Sequence, residues 1–305
     1  MIGLKALLRN CAGRFPPFCT GPDGAPRRSL SPMTDRYVHG YDARETQRLT
    51  DQAETLVDLL HHDTRYPPEE TVLEVGCGVG AQTLTLARRS PGTAFTSVDV
   101  SPESVAEAQR RVQAAGLDNV TVEQADLFEL PLRPAAFDHV FVCFVLEHLP
   151  APEAALTALS RVVRPGGSIT VIEGDHGSTT FHPDSQAAQA AVACQVELQR
   201  RAGGDATIGR RLYPLLTQAG VDDVRVSPRL VYVDASRPQL VDGFTRRTFT
   251  AMVAGVREPA ITHGLTTADA FDQGIADLLR TTESDGTFAY TFYKAFGTFP
   301  APATS

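Results

Sequence analysis

A chain of 305 residues with 42% hydrophobic content is long enough to bury a sizeable core, as one large domain or two small ones. That excludes a wholly disordered chain and any need for disulfide staples, and no apolar run is long enough for a membrane-spanning helix. The formal charge of −8, from 28 basic and 36 acidic residues, makes the chain a poor general ligand for phosphate backbones, so a nucleic-acid partner is not expected.

Five cysteines, at 11, 19, 77, 143 and 194, are odd in number and lack metal-ligand spacing. A reducing cytoplasm and a site without metal are the corresponding expectations. Residues 1–33 differ from the rest: Lys5, Arg9, Arg14, Arg27 and Arg28 face a single acid, Asp23, and no helical period persists. They read as a disordered leader, or as an extension ahead of a true start at Met33; a targeting peptide lacks its apolar stretch and cleavage site.

A helix signal begins at Tyr41, with Asp42 and Glu45 spaced as a capping box. Leu49, Ala53, Leu56, Val57 and Leu60 then form one apolar stripe. Residues 34–69 are read as a lid helix, with Tyr37 and Tyr41 over a bound ligand. The tandem His61-His62 at its end reads as structural, its positive form favoured by the helix dipole.

Strands and helices then alternate. Thr71–Val75, Ala94–Val100, Asn119–Gln124, Phe137–Cys143 and Ser168–Glu173 read as strands. Helices are expected over Ala81–Arg89, after the Ser101-Pro102 cap, and over Pro152–Val163, stopping before Pro165-Gly166-Gly167. Solidly apolar strands alternating with helices argue an α/β fold with a doubly wound, mainly parallel sheet covered on both faces. Two further helical stretches (184–202 and 207–219) precede a strand at Val224–Val233. Residues 235–285 read as a helical cap for substrate, and Thr287–Phe296 as the closing strand of a segment running 286–305. Residues 70–234 form the expected cofactor-binding core.

The strongest feature is Glu74-Val75-Gly76-Cys77-Gly78-Val79-Gly80. A buried strand runs into three glycines and then into a helix, which permits positive φ, close backbone approach and an anion at the helix N-terminus. The spacing is G-x-G-x-G, not the G-x-G-x-x-G of dinucleotide sites. Glu74 needs donors because burial without them is costly; a ligand ammonium and the loop amides would supply them, so an amino-acid moiety fits better than a pyrophosphate. Asp99, ending the second strand, could accept from ribose hydroxyls. Asp126 and Leu127 after the third could take an adenine edge and face, although a strand-end Asp also serves as a cap.

Over about residues 70–174 the chain resembles the class I S-adenosylmethionine-dependent methyltransferases. The resemblance is carried by Glu74–Gly80, Asp99, Asp126, Phe137-Asp138-His139-Val140, Leu146-Glu147-His148-Leu149 and Arg164-Pro165-Gly166-Gly167. It implies a seven-stranded mixed sheet of order 3-2-1-4-5-7-6, strand 7 antiparallel, with the cap inserted between the last two strands. It implies S-adenosyl-L-methionine as cofactor, its methionine part on the loop residues Gly76, Cys77, Gly78 and Gly80, with Asp99 at the ribose, Asp126 at the adenine and Phe144 near the methyl group. Tyr41, Glu74, Gln82, Val100, Leu127 and His148 complete the expected cofactor set.

The flanks, Tyr37–Tyr41 and Glu173–Ser178 with Phe181-His182-Pro183, look like a bacterial subgroup acting on small molecules, some of which methylate natural-product scaffolds, including indole carbon. A small heteroaromatic acceptor is expected, with phenolic or polyketide-like O-methylation as the alternative. A nicotinamide oxidoreductase and a non-catalytic binding protein are the more distant readings. Candidate proton-handling residues are Asp175, His176, Tyr37 and His182, with Glu147 and His148 behind them. A homodimer formed by the cap helices is compatible with the sequence.

Overall fold

Helix α1 (Ala43–His61) leads into β1 (Thr71–Val75), and the computed structural model describes residues 43–130 and 133–301. Helix α2 (Ala81–Arg89), β2 (Ala94–Asp99), α3 (Pro102–Ala114), β3 (Val120–Gln124), β4 (Phe137–Cys143) and α4 (Pro152–Val162) follow. Next come β5 (Val163–His182), α5 (Gln186–Arg201), α6 (Leu212–Gln218) and β6 (Asp222–Val233), then the cap and β7 (Thr287–Thr298). The seven strands lie in the order β3-β2-β1-β4-β5-β7-β6. Strand β7 runs antiparallel to both β5 and β6, while the pairs from β3 to β5 are parallel. Fold class and strand order match the expectation.

The sheet is buried on both faces because its strands alternate apolar side chains between two cores. Val72, Phe141, Ile172, Phe288, Tyr290 and Phe292 face one core, with α1, α5 and the cap. Leu73, Val75, Val140, Val142, Ile169, Val171 and Ala295 face the other, with α4 and α6. Ser101 caps α3 by accepting from Ser104 N at 3.1 Å, with Pro102 in the first turn. The proposed Asp42 cap lies outside the described residues, as do Tyr37 and Tyr41.

Strand β5 is far longer than Ser168–Glu173. It begins at Val163, carries Arg164-Pro165-Gly166-Gly167 within it, and continues to His182. Its pairing with β7 is continuous to Asp175↔Thr291 and resumes at Thr180↔Ala289. Residues 176–179 of β5 therefore bulge opposite the single residue Tyr290, and such bulges re-aim side chains. The cap opens with a single helical turn, Pro238–Leu240, runs into a π-helix, Val241–Thr250, continues through Ala251–Gly255 and Arg257–Thr262, and ends in α7 (Ala268–Arg280).

Helix α1 is pinned to the sheet by a buried lysine. Lys294 Nζ on β7 donates to Leu60 O (3.1 Å), Asp63 Oδ1 (2.6 Å) and Thr64 Oγ1 (2.5 Å). His61 is fully buried there, 2.7 Å from Gln82 Oε1, and burial pushes its pKa down to about 4. The expectation of a positively charged His61 is thereby corrected: desolvation outweighs the helix dipole.

Candidate active site

At the C-terminal end of β1 the chain turns through Gly76, Gly78 and Gly80 at φ of 69°, 52° and 78°. Only glycine adopts this run of left-handed residues at low cost. At Gly76 space is also required, since a Cβ there would lie 2.4 Å from Val145 Cγ2. The loop spends several of its own amides internally. Gly76 N and Cys77 N donate to Val98 O, at 2.8 and 3.0 Å, and Gly80 N donates to Cys77 O at 2.9 Å. Helix α2 starts on Gly80, which offers no side-chain cap. Its first-turn N–H groups are thus suited to an anionic ligand group.

Asp99 is tied to this loop. Its Oδ2 accepts from Gly78 N (2.8 Å) and its Oδ1 from Ser101 N (2.9 Å). Burial raises its pKa despite those bonds. Glu74 is fully buried, and the donors that satisfy it are hydroxyls rather than loop amides: Thr83 Oγ1 and Ser97 Oγ both donate to Oε2 at 2.6 Å. Burial nevertheless pushes its carboxyl up to about 7. Asp126 caps the short turn Leu127–Glu129 through Phe128 N at 2.8 Å, and Leu127 is buried in the α4-side core. Val100 is half-buried beside Asp99 and accepts from Gln124 Nε2 at 3.1 Å. Gln82 is occupied by His61.

Strand β4 is followed by Phe144, whose φ of 58° is unusual for a bulky residue and marks a strained turn. Its ring lies 5.4 Å from that of Phe292. The next residues are held from β5: Glu173 Oε1 accepts from Val145 N (3.1 Å) and Leu146 N (2.8 Å). Burial and the neighbouring Glu147 push Glu173 well above the usual carboxyl range. Glu147 is also buried; Gln199 Nε2, from α5, donates to its carbonyl (3.0 Å) and to Oε2 (3.2 Å). The His148 ring lies 3.7 Å from Glu147 Oε1.

The proton-handling candidates separate sharply. Asp175 is 2% exposed and clamped by Arg210, with Nη2 to Oδ1 at 2.6 Å and Nε to Oδ2 at 2.8 Å. Gly177 N adds a third bond at 3.0 Å. Both carboxylate oxygens are engaged by the guanidinium, so Asp175 serves here to shape the β5 bulge. His182 lies exposed at the far end of β5, opposite Thr287, six residues beyond His176 along the strand. It does not join the group. His176 is buried, with Nδ1 3.0 Å from the Tyr290 hydroxyl and Nε2 3.9 Å from Glu147 Oε2. Burial lowers its pKa, keeping the ring neutral.

Tyr290, Gln199 and Arg210 carried no sequence signal. Tyr290 sits in an alternating aromatic run that reads as core packing. Arg210 and Gln199 lie on helical stretches outside any motif. Among the described residues no group of three or more His, Cys, Asp or Glu could hold a metal ion, and no helix is long and apolar enough to cross a membrane.

Residues 72–167 match the family described as a methyltransferase domain. A 37.1 kDa protein of transposon TN4556 from Streptomyces fradiae is 32% identical over 256 residues, covering 80% of this chain and 73% of that protein. The 27-O-demethylrifamycin SV methyltransferase of Amycolatopsis mediterranei is 31% identical over 134 residues, 44% of this chain and 49% of that enzyme, so the match spans about half of it. The fold is shared with a phosphoethanolamine N-methyltransferase of Haemonchus contortus solved with S-adenosyl-L-methionine: TM-score 0.54, 16% identity, 90% of this chain and 60% of that one. The loop of positive-φ glycines, the uncapped helix behind it and the two acids Glu74 and Asp99 fit the amino-acid and ribose parts of that cofactor. The chain belongs to the class I S-adenosyl-L-methionine-dependent methyltransferases.

Proposed function

We propose that the chain methylates a small aromatic acceptor, a heteroaromatic ring reacting through carbon or nitrogen, in the assembly of a natural product. The observation that carries this reading is a continuous run of packed aromatic rings leading from the residue after β4 to a buried histidine. Phe144 meets Phe292 (5.4 Å between ring centres), Phe292 meets Tyr290 (4.7 Å), and Tyr290 and Phe249 meet His176 (5.6 and 6.2 Å). Rings of this kind pack favourably against another flat ring. An oxygen acceptor is the second reading, favoured by the relative named for an O-demethylated rifamycin.

When bound, S-adenosyl-L-methionine supplies a methyl group already activated on a sulfonium sulfur. The chain's residues then have to hold, orient and keep water out. We assign the methionine carboxylate to the first turn of α2, its ammonium to the loop beside Glu74, the ribose to Asp99 and the adenine edge to Asp126. Phe144 and His148 border the reacting centre, and residues 235–285 cover the acceptor. Proton removal falls to His176 rather than to Asp175 or His182.

Calorimetric titration tests the first half. Wild-type protein is expected to bind S-adenosyl-L-methionine and not NAD⁺. Asp99→Ala is expected to weaken binding about 10–100-fold, the effect of losing charge-assisted hydrogen bonds of about 1.5–3 kcal/mol. Binding of NAD⁺ instead would overturn the assignments. A panel of indoles and phenols, read by S-adenosylhomocysteine formation, then separates the two acceptor readings.

Glu74 makes a second prediction. Its folded pKa, about 7, stands above the ordinary 4.5. Its contribution to stability is therefore full at pH values under the ordinary pKa and is lost as pH rises through the folded one. A ligand ammonium favours the ionised form, so cofactor binding at about pH 6 should expel a proton. Binding heats in two buffers of different ionisation enthalpy should differ accordingly. The difference should vanish in Glu74→Gln; its persistence there would assign the proton to another group.

A further inference from the structure

We propose that Tyr290 and Glu147 are positioning residues for His176, forming a Tyr290–His176–Glu147 relay that leaves Nε2 of the imidazole as the proton-accepting atom. The inference rests on the methyltransferase reading and extends it to three elements remote in sequence.

Several features of the backbone converge on Tyr290. It is 2% exposed, so its hydroxyl needs a partner. The hydroxyl reaches under β5 at Gly174, where a Cβ would lie 2.2 Å from it. Any side chain at position 174 would push the tyrosine out. Immediately beyond, residues 176–179 bulge out of register opposite Tyr290. The bulge is held from within, by Ser178 Oγ donating to Asp175 O (2.6 Å) and Thr179 Oγ1 donating to His176 O (2.8 Å). Ser178 Oγ also accepts from Thr291 N on β7 at 2.9 Å. The outcome is His176 Nδ1 at 3.0 Å from the tyrosine oxygen.

The other side of the ring is equally built. Glu147 Oε2 stands 3.9 Å from His176 Nε2, too far for a hydrogen bond but close enough to stabilise a cation. That same oxygen is held by Gln199 Nε2 at 3.2 Å, and Gln195 Nε2 in turn donates to Gln199 Oε1 at 2.9 Å. The remaining charged groups acting on the ring are Arg48 from α1, His148 after β4 and Asp175 on β5. The cap presents Phe249.

The relay requires the Nδ1–H tautomer, in which Nδ1 donates to the tyrosine oxygen and Nε2 carries no proton. In the transfer, the acceptor's nucleophilic atom forms its bond to the methyl carbon as the carbon–sulfur bond breaks. The electron pair of that bond leaves on sulfur, giving S-adenosylhomocysteine. The proton shed by the acceptor passes to His176 Nε2, and the imidazolium formed is stabilised by Glu147 until solvent removes it. Acceptors that lose a proton on methylation, such as ring N–H, ring C–H or phenol O–H groups, are the class this relay serves.

The test needs no acceptor. Full-length protein labelled with ¹⁵N-histidine is studied by long-range ¹H–¹⁵N correlation, His176 being assigned from His176→Gln. Wild type is expected to show the Nδ1–H tautomer. Tyr290→Phe should switch it to Nε2–H, because a buried Nδ1–H would lose its acceptor. Glu147→Gln should lower the His176 pKa by about one unit, and it tests the relay even if Tyr290→Phe fails to fold. A wild-type Nε2–H tautomer, an unchanged tautomer in Tyr290→Phe, or an unshifted titration in Glu147→Gln would each overturn the relay. Titration of all three proteins with S-adenosyl-L-methionine keeps the outcomes apart. Normal affinity with an unmoved imidazole sinks the relay alone, whereas absence of binding by wild type sinks the parent reading.

Discussion

Gly76→Ala is expected to lower the melting temperature by about 4–20 °C and to remove measurable cofactor binding. The left-handed backbone costs an alanine about 1–2 kcal/mol. Its methyl carbon would also lie 2.4 Å from Val145 Cγ2, where no relaxed structure leaves it. Overpacking of that kind adds about 1–3 kcal/mol. In a chain of this size each kcal/mol corresponds to about 2–4 °C. The damage also reaches the site, because Gly76 N is bonded to Val98 O and Val145 precedes the Leu146–His148 segment held by Glu173. Gly78→Ala is the control. Its φ of 52° carries the same backbone cost, but nothing lies within 4 Å of the added Cβ. It should melt closer to wild type. Thermal unfolding of the three proteins side by side decides the matter, and equal losses at both glycines would mean that the Val145 contact is unimportant.

His176→Gln should reduce turnover of an aromatic acceptor about 10²–10⁴-fold, the range for removing a general base. Glutamine keeps a polar side chain for the Tyr290 hydroxyl but has no basic nitrogen. Since His176 stands apart from the glycine loop, affinity for S-adenosyl-L-methionine should stay within about twofold of wild type. The expected pattern is a fall in kcat with little change in KM. A variant that turned over at the wild-type rate would leave in-line positioning as the whole of catalysis, and the proton would depart directly to water. Burial lowers the His176 pKa, so the wild-type rate should already be level above the ordinary histidine value of about 6.5 and fall only in more acidic solution.

The glycine turn after β1 was legible because its geometry is contiguous. Glu74, the three glycines and the helix after them lie in a single stretch, and strand, turn and helix are each dictated locally. Even there the sequence misjudged what satisfies Glu74: the partners are Ser97 and Thr83, because the loop amides are occupied by Val98 O, Asp99 and Cys77 O. The β5 boundary was misjudged for a related reason. Pro165-Gly166-Gly167 breaks a helix, but it can still be followed by pairing once β4 and β7 lie on either side.

By itself, then, the amino-acid sequence determined the fold class, the strand order through its family resemblance, and the glycine turn after β1. These depend on apolar periodicity and on residues adjacent in the chain. Tertiary structure alone decided which acid or base is available. Asp175 and His176 are neighbours in sequence, yet one is clamped by Arg210, 35 residues away, and the other is joined to Tyr290, 114 residues away. His182, similar to His176 as a sequence letter, is left exposed at the strand's end. The physical reason is that proton affinity is set by burial and by charges within a few ångströms. Those neighbours were brought in by the β5–β7 pairing and its bulge, which no local pattern encodes.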